Sequence, residues 1–292
     1  MKQGDLPFLN LPPPGDKPIR FKSPDRPIWT ENKAKLIERY LYYFVMITKH
    51  GAYIDGFAGP QYPDKEDAWA AKLVLQSKPP LLRKFWLCER SEDKLPALND
   101  LAKSNAQRGR TIKIIPGDFN VNVKSILDSG IITEKMASFS LLDQHTFECE
   151  WRTVEMIARH KSQNKIELFY FLATGWLDRA MSATTKNQDV LDRWWGRGDW
   201  KQLLGMRSFD RSQLFAKRIK GLGYRHVHPW PIYNREGEGR RVMYHMIHAS
   251  DHDEAPKLMS RAYRKANSEK ESLAELQREL FGVHSVGHGN EG

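Results

Sequence analysis

Four short β-forming stretches, each closed by an acid, constrain this chain more than any other feature of it. Residues 52–54 run into Asp55, 84–88 into Glu89, 111–115 into Pro116-Gly117-Asp118, and 137–142 into Asp143. Between them lie segments with apolar residues at helical spacing. A fifth stretch, 166–172, is apolar enough to be buried on both faces. Strands alternating with helices fold into a largely parallel sheet covered on both sides. Right-handed crossovers then bring the carboxyl ends of the parallel strands to one rim. The four acids are expected side by side along it.

The remaining elements follow from the same patterns. Leu36, Ile37, Tyr40, Leu41, Phe44 and Val45 form a helical stripe, which predicts a first helix over 29–50 with Thr30 as its N-cap. Residues 60–67 read as a polar loop, and helices are expected at 68–76, 92–107, 121–128 and 150–160. From 174 to 222 the pattern is helical and tryptophan-rich (Trp176, Trp194, Trp195, Trp200). This reads as an insertion before a final pair of strands, 224–229 and 241–248, joined by a turn at 234–239. A helix over 254–266 closes the fold. The expected class is α/β, a Rossmann-like seven-stranded sheet in the order 3-2-1-4-5-7-6. An arm (1–28) precedes the domain (29–266, with the insertion at 174–222), and a charged helix and tail (267–292) follow. The terminal antiparallel pair is expected of a methyltransferase-type sheet; a dinucleotide oxidoreductase more often continues with a second parallel half.

The chemistry concentrates at the first acid. Asp55 is followed at once by Gly56-Phe57-Ala58-Gly59, and such a turn lets backbone approach a nucleoside-containing ligand at a strand's end. For a cofactor of the S-adenosylmethionine type, Asp55 with Gly56, Phe57, Ala58 and Gly59 would surround the amino-acid end. Glu89 would accept from the ribose hydroxyls, and Asp118 with Phe119 would lie by the adenine. Asp143 would face the reacting methyl, with His145 as its partner in proton transfer. Gln144, Thr174 and Trp176 would line the substrate mouth. Each acid also has a plainer role as turn former or helix cap, and a lone Gly-X-X-Gly is most often an ordinary turn. Their occurrence in order points to a ligand. The absence of Gly-Lys-Ser/Thr after the turn argues against a nucleotide-dependent hydrolase.

Composition adds bounds. The 292 residues carry a net charge of +10, which favours polyanions, nucleic acid first among them. Trp194-Trp195-Gly196-Arg197-Gly198 reads either as a base-stacking platform or as the core of the insertion, with composition favouring the core. Two cysteines, Cys88 and Cys149, are too few for a metal cage or a disulfide framework, and Cys149 reads as a buried structural thiol. His245, His248 and His252 lie in a strand and turn, where their spacing does not gather them on a metal. No metal is expected. No apolar run is long enough for a membrane span, and the proline-bearing N-terminus lacks an apolar signal core. The expected compartment is the cytoplasm.

The residues also resemble a family. Trp29-Thr30-Glu31-Asn32-Lys33, the segment Tyr53 to Pro60, Leu141-Leu142-Asp143, Trp151-Arg152-Thr153-Val154-Glu155, and Met243 to Ser250 with Ala255 in the following helix resemble the three-Cys-motif partner proteins. This is a bacterial group similar to S-adenosylmethionine-dependent methyltransferases, and the resemblance spans most of 29–266. It implies a Rossmann-like fold, a methyltransferase-type cofactor site at Asp55, Gly56, Ala58 and Gly59, and a separate partner protein carrying the cysteine motif. Two positions depart from the family. Gln61 stands where a glycine usually completes the turn, and Gln144-His145-Thr146-Phe147 replace a Pro-aromatic-Gly sequence after Asp143. These departures leave open a second reading, a non-catalytic Rossmann-like module that docks a partner protein or nucleic acid.

Overall fold

In the computed structural model, which describes residues 28–62, 64–107, 109–184, 187–234 and 241–266, seven strands form one sheet. The arm up to residue 27, the turn residues 235–239 and the tail from 267 lie outside the described residues. The strands are β1 (Gly51–Asp55), β2 (Leu82–Glu89), β3 (Thr111–Pro116), β4 (Ser138–Leu142), β5 (Glu167–Leu172), β6 (His226–Tyr233) and β7 (Val242–Ser250). Their order is β3-β2-β1-β4-β5-β7-β6, as the alternation of elements predicts. The first five pair parallel with one another, and β7 runs antiparallel to both β5 and β6.

The helices are α1 (Ile28–Thr48), α2 (Ala70–Gln76), α3 (Leu95–Ser104), α4 (Phe119–Leu127), α5 (Trp151–Arg159), α6 (Leu177–Ala183), α7 (Gln188–Trp195), α8 (Ser208–Lys220) and α9 (Ala255–Lys265). Thr30 stands within α1, not before it. Helix α4 starts two residues earlier than its apolar pattern suggests, because Asp118 caps it by accepting from the Asn120 N–H at 2.7 Å. The expected helix over 92–107 divides into a 3₁₀ turn, Glu92–Lys94, and α3. Strand β6 continues past Pro229 to Tyr233, and Pro229 and Pro231 both pair with β7. Proline ends a central strand for want of an N–H, but β6 is the sheet edge, where no further strand needs that donor.

Alternation along the strands sorts the core into two layers. Tyr53, Phe85, Phe139, Leu141, Phe169 and Phe171 face α1, α2, α3 and α9. Ile54, Trp86, Leu142, Leu168, Tyr170 and Leu172 face α4, α5 and the inserted helices α7 and α8. The insertion is thus a wall of the second layer. Trp194 and Trp195 are fully buried in it, which overturns the base-stacking alternative. The Trp194 indole N–H donates to the Tyr170 hydroxyl at 2.8 Å. The Arg218 guanidinium lies between Trp151 and Trp195, 3.9 and 3.8 Å from their ring centroids. No helix among the described residues is long and apolar enough to cross a membrane.

Candidate functional site

The turn after β1 is stitched to the strands on either side of it. The Gly56 N–H donates to the Leu141 carbonyl of β4 at 3.0 Å, and the Ala58 N–H donates to the Cys88 carbonyl of β2 at 2.8 Å. Neither Gly56 nor Gly59 has a positive φ. Their need for glycine is close approach. A β-carbon on Gly56 would stand 2.7 Å from the Phe119 ring, and one on Gly59 would collide with Oε2 of Glu89. Gln61 likewise has no positive φ, so a side chain there strains nothing, and it stands exposed at the edge of the cleft the turn borders.

That cleft, about 500 Å³, lies at the carboxyl ends of β1, β2, β3 and β4. Gly56, Phe57, Gly59, Glu89, Asp118, Phe119, Asp143 and His145 line it together. Both oxygens of Glu89 are held by backbone: Oε2 accepts from the Gly59 N–H at 2.9 Å and Oε1 from the Ser91 N–H at 2.8 Å. A carboxylate fixed this way keeps further lone pairs for a ligand. Asp118 uses Oδ1 for both its bonds to Asn120, the N–H at 2.7 Å and the side-chain amide at 2.8 Å. Asp143 is joined to the ammonium of Lys33 and remains 12% exposed at the cleft. The exposed imidazole of His145 lies 6.0 Å from the Trp176 ring, and Trp176 packs edge-on against Tyr244 at 4.7 Å.

Five expected contacts are placed elsewhere. Asp55 is buried beneath the turn and does not line the cleft; its Oδ1 accepts from the Phe57 N–H at 3.1 Å and its Oδ2 from the Tyr53 hydroxyl at 2.9 Å. Burial raises its carboxyl to about 7, with Asp143 and Glu89 adding to the rise and the two hydrogen bonds opposing it. Ala58 is buried inside the turn, where its carbonyl accepts from the Trp69 indole at 2.6 Å. Gln144 points inward, because its Oε1 accepts from the Cys149 N–H at 2.8 Å and so shapes the loop into α5. Thr174 is buried against His245, its hydroxyl 2.8 Å from Nδ1. Trp176 borders His145 and is not part of the cleft wall.

Other residues enter that the strand-end reading passes over. Arg90 and Lys94 bring cations to the wall that Glu89 shares, and Tyr62 and Glu148 line the same cleft. Lys33 is the most consequential. It lies one turn before Leu36 and Ile37 on the apolar stripe of α1, and a lysine in that phase is the one sequence sign that an ammonium is buried there. Cys88 and Cys149 are buried and unpaired, and burial pushes both thiols well above the usual range, so neither is poised as a nucleophile.

Compared with protein-family models and with curated proteins, the sequence matches none. Among solved structures the chain is similar to TYW2 of M. jannaschii, crystallised in complex with AdoMet. There the identity is 11%, the TM-score 0.36, and 75% of each chain is covered. It is also similar to EvdMO1, at 10% identity and a TM-score of 0.39, covering 76% of this chain and 42% of that one.

Proposed function

We propose that the cleft binds S-adenosylmethionine and that the protein transfers its methyl group to an acceptor arriving over Asp143 and His145. The observation that carries this reading is the pairing of Glu89 with Gly59. A carboxylate that backbone amides fix, lying against a bare glycine backbone, suits a nucleoside whose two ribose hydroxyls need a paired acceptor and close approach. The cleft's volume also falls among those of small-molecule sites, roughly 300–1,000 Å³. Phe57 and Phe119 offer an apolar wall to the base, and Asp118 keeps Oδ2 for its amino group. Gly56 and Gly59 give the cofactor its room, and Asp55 holds their turn in place from below.

When bound, the cofactor supplies a methyl group on a sulfonium and departs as the neutral thioether after the methyl has gone to the acceptor. The chain's own work is alignment, which is most of what such a transfer requires. Asp143 presents an anion at the methyl end, and the exposed His145 imidazole takes the proton that the acceptor loses. For the acceptor, the net charge of +10 supports nucleic acid. The resemblance to the three-Cys-motif partner proteins supports a docked partner protein. A second reading, a binding module without turnover, is favoured by Gln144, whose side chain is committed to Cys149 where the family has a Pro-aromatic pair.

Calorimetric titration with S-adenosylmethionine and S-adenosylhomocysteine tests the cofactor site. Micromolar binding by the wild type, lost in Glu89→Ala, is expected; absence of heat with folded wild type would sink the reading. Binding without S-adenosylhomocysteine formation on DNA, RNA or protein acceptors would favour the module. Electrophoretic shifts over a salt series test nucleic acid, which requires affinity that falls steeply with salt.

A further inference from the structure

We propose that Lys33 is a positioning residue that aims the Asp143 carboxylate at the methyl end of the cofactor cleft. This rests on the reading of the cleft given above. Lys33 is 1% exposed, a costly place for an ammonium. Its Nζ donates to Oδ1 of Asp143 and lies 4.7 Å from the Phe171 ring centroid and 4.5 Å from that of Tyr244. Those residues come from β5 and β7, and Asp143 follows β4, so one ammonium is gripped from three strands. The two rings hold the cation by their faces and leave Asp143 as its charge partner. Among the described residues, Lys33 is the only hydrogen-bond donor to Asp143, and it uses Oδ1 alone. Oδ2 is left for a group in the cleft. A pair serving only to dock α1 on the sheet would bury both partners, whereas here the lysine is sealed and the aspartate is open to the cleft.

The probes are S-adenosylhomocysteine and sinefungin, an analogue with an amine-bearing carbon where the methylsulfonium stands. Only the second places an ammonium beside Asp143. The wild type is expected to bind sinefungin the more tightly of the two by about tenfold, the worth of one charge-assisted hydrogen bond. Asp143→Asn should abolish that preference. Lys33→Met should reduce it several-fold while S-adenosylhomocysteine affinity stays within about twofold, and Lys33→Arg should restore part of it. In the Asp143→Asn background, Lys33→Met should have no further effect on the preference. Equal losses for both ligands would show a merely structural lysine. A tighter grip on sinefungin in Lys33→Met would show that Lys33 competes for the carboxylate and does not aim it. Either result overturns the proposal. If Lys33→Met does not fold, Lys33→Leu, which likewise removes the donor, carries the same comparison. Wild type that binds neither ligand overturns the cofactor reading itself, and this inference with it.

Discussion

The Gly59 N–H donates to Oε2 of Glu89 at 2.9 Å, across the gap between the turn after β1 and the end of β2. No side chain fits on that glycine without striking the same oxygen. Gly59→Ala must therefore displace the turn or the carboxylate. The expected result is at least about a tenfold loss of S-adenosylhomocysteine affinity with about 1–3 kcal/mol of lost stability, the usual cost of overpacking. Calorimetry and thermal melting measure the two effects; full affinity in the variant would remove Glu89 from the binding site.

Asp55 links the turn to pH. Its carboxyl is held at about 7 by burial, against about 4 in an unfolded chain. Between those values the folded protein binds more protons than the unfolded one, so this residue's contribution to stability falls as pH rises from about 4 to about 7. Asp55→Asn has no charge to bury. Its stability relative to wild type should therefore climb by at most about 1.4 kcal/mol per pH unit between pH 5 and 7, flattening toward pH 7. Denaturant melts at the two pH values test this, and a difference indifferent to pH would refute it.

His245 has the opposite slope. Burial holds its imidazole down at about 3, against about 6.5 unfolded. The unfolded chain binds the extra proton, so stability from this residue is full above about pH 6.5 and is lost as pH falls through that window. His245→Gln should narrow the loss of stability between pH 7 and 5. If acidification destabilised both proteins equally, His245 would not be the neutral buried histidine described here.

The tryptophan-rich insertion should behave as core. Trp195 is fully buried, and its indole N–H donates to Asp199 at 2.5 Å. Trp195→Ala is expected to cost about 3–5 kcal/mol, measured by denaturant unfolding. A cost below about 0.5 kcal/mol, the level of an exposed position, would revive the stacking reading.

Sequence alone determined the sheet, its strand order and the rim that carries the acids. Strand periodicity, helical stripes and the handedness of crossovers are local or nearly so, and they act together across every element. It also marked Gly56 and Gly59, since an acid followed by a glycine turn is legible in adjacent residues. Only the tertiary structure decided which of those side chains look into the cleft. Asp55 and Glu89 both end strands, yet the first is turned under by the Tyr53 hydroxyl and the Phe57 N–H while the second is held open by Gly59 and Ser91. Gln144 and Thr174 were drawn inward by Cys149 and His245, and Lys33 reached Asp143 across 110 residues. Where a side chain points is settled by the partner that satisfies it, and those partners come from elements that no local pattern brings together.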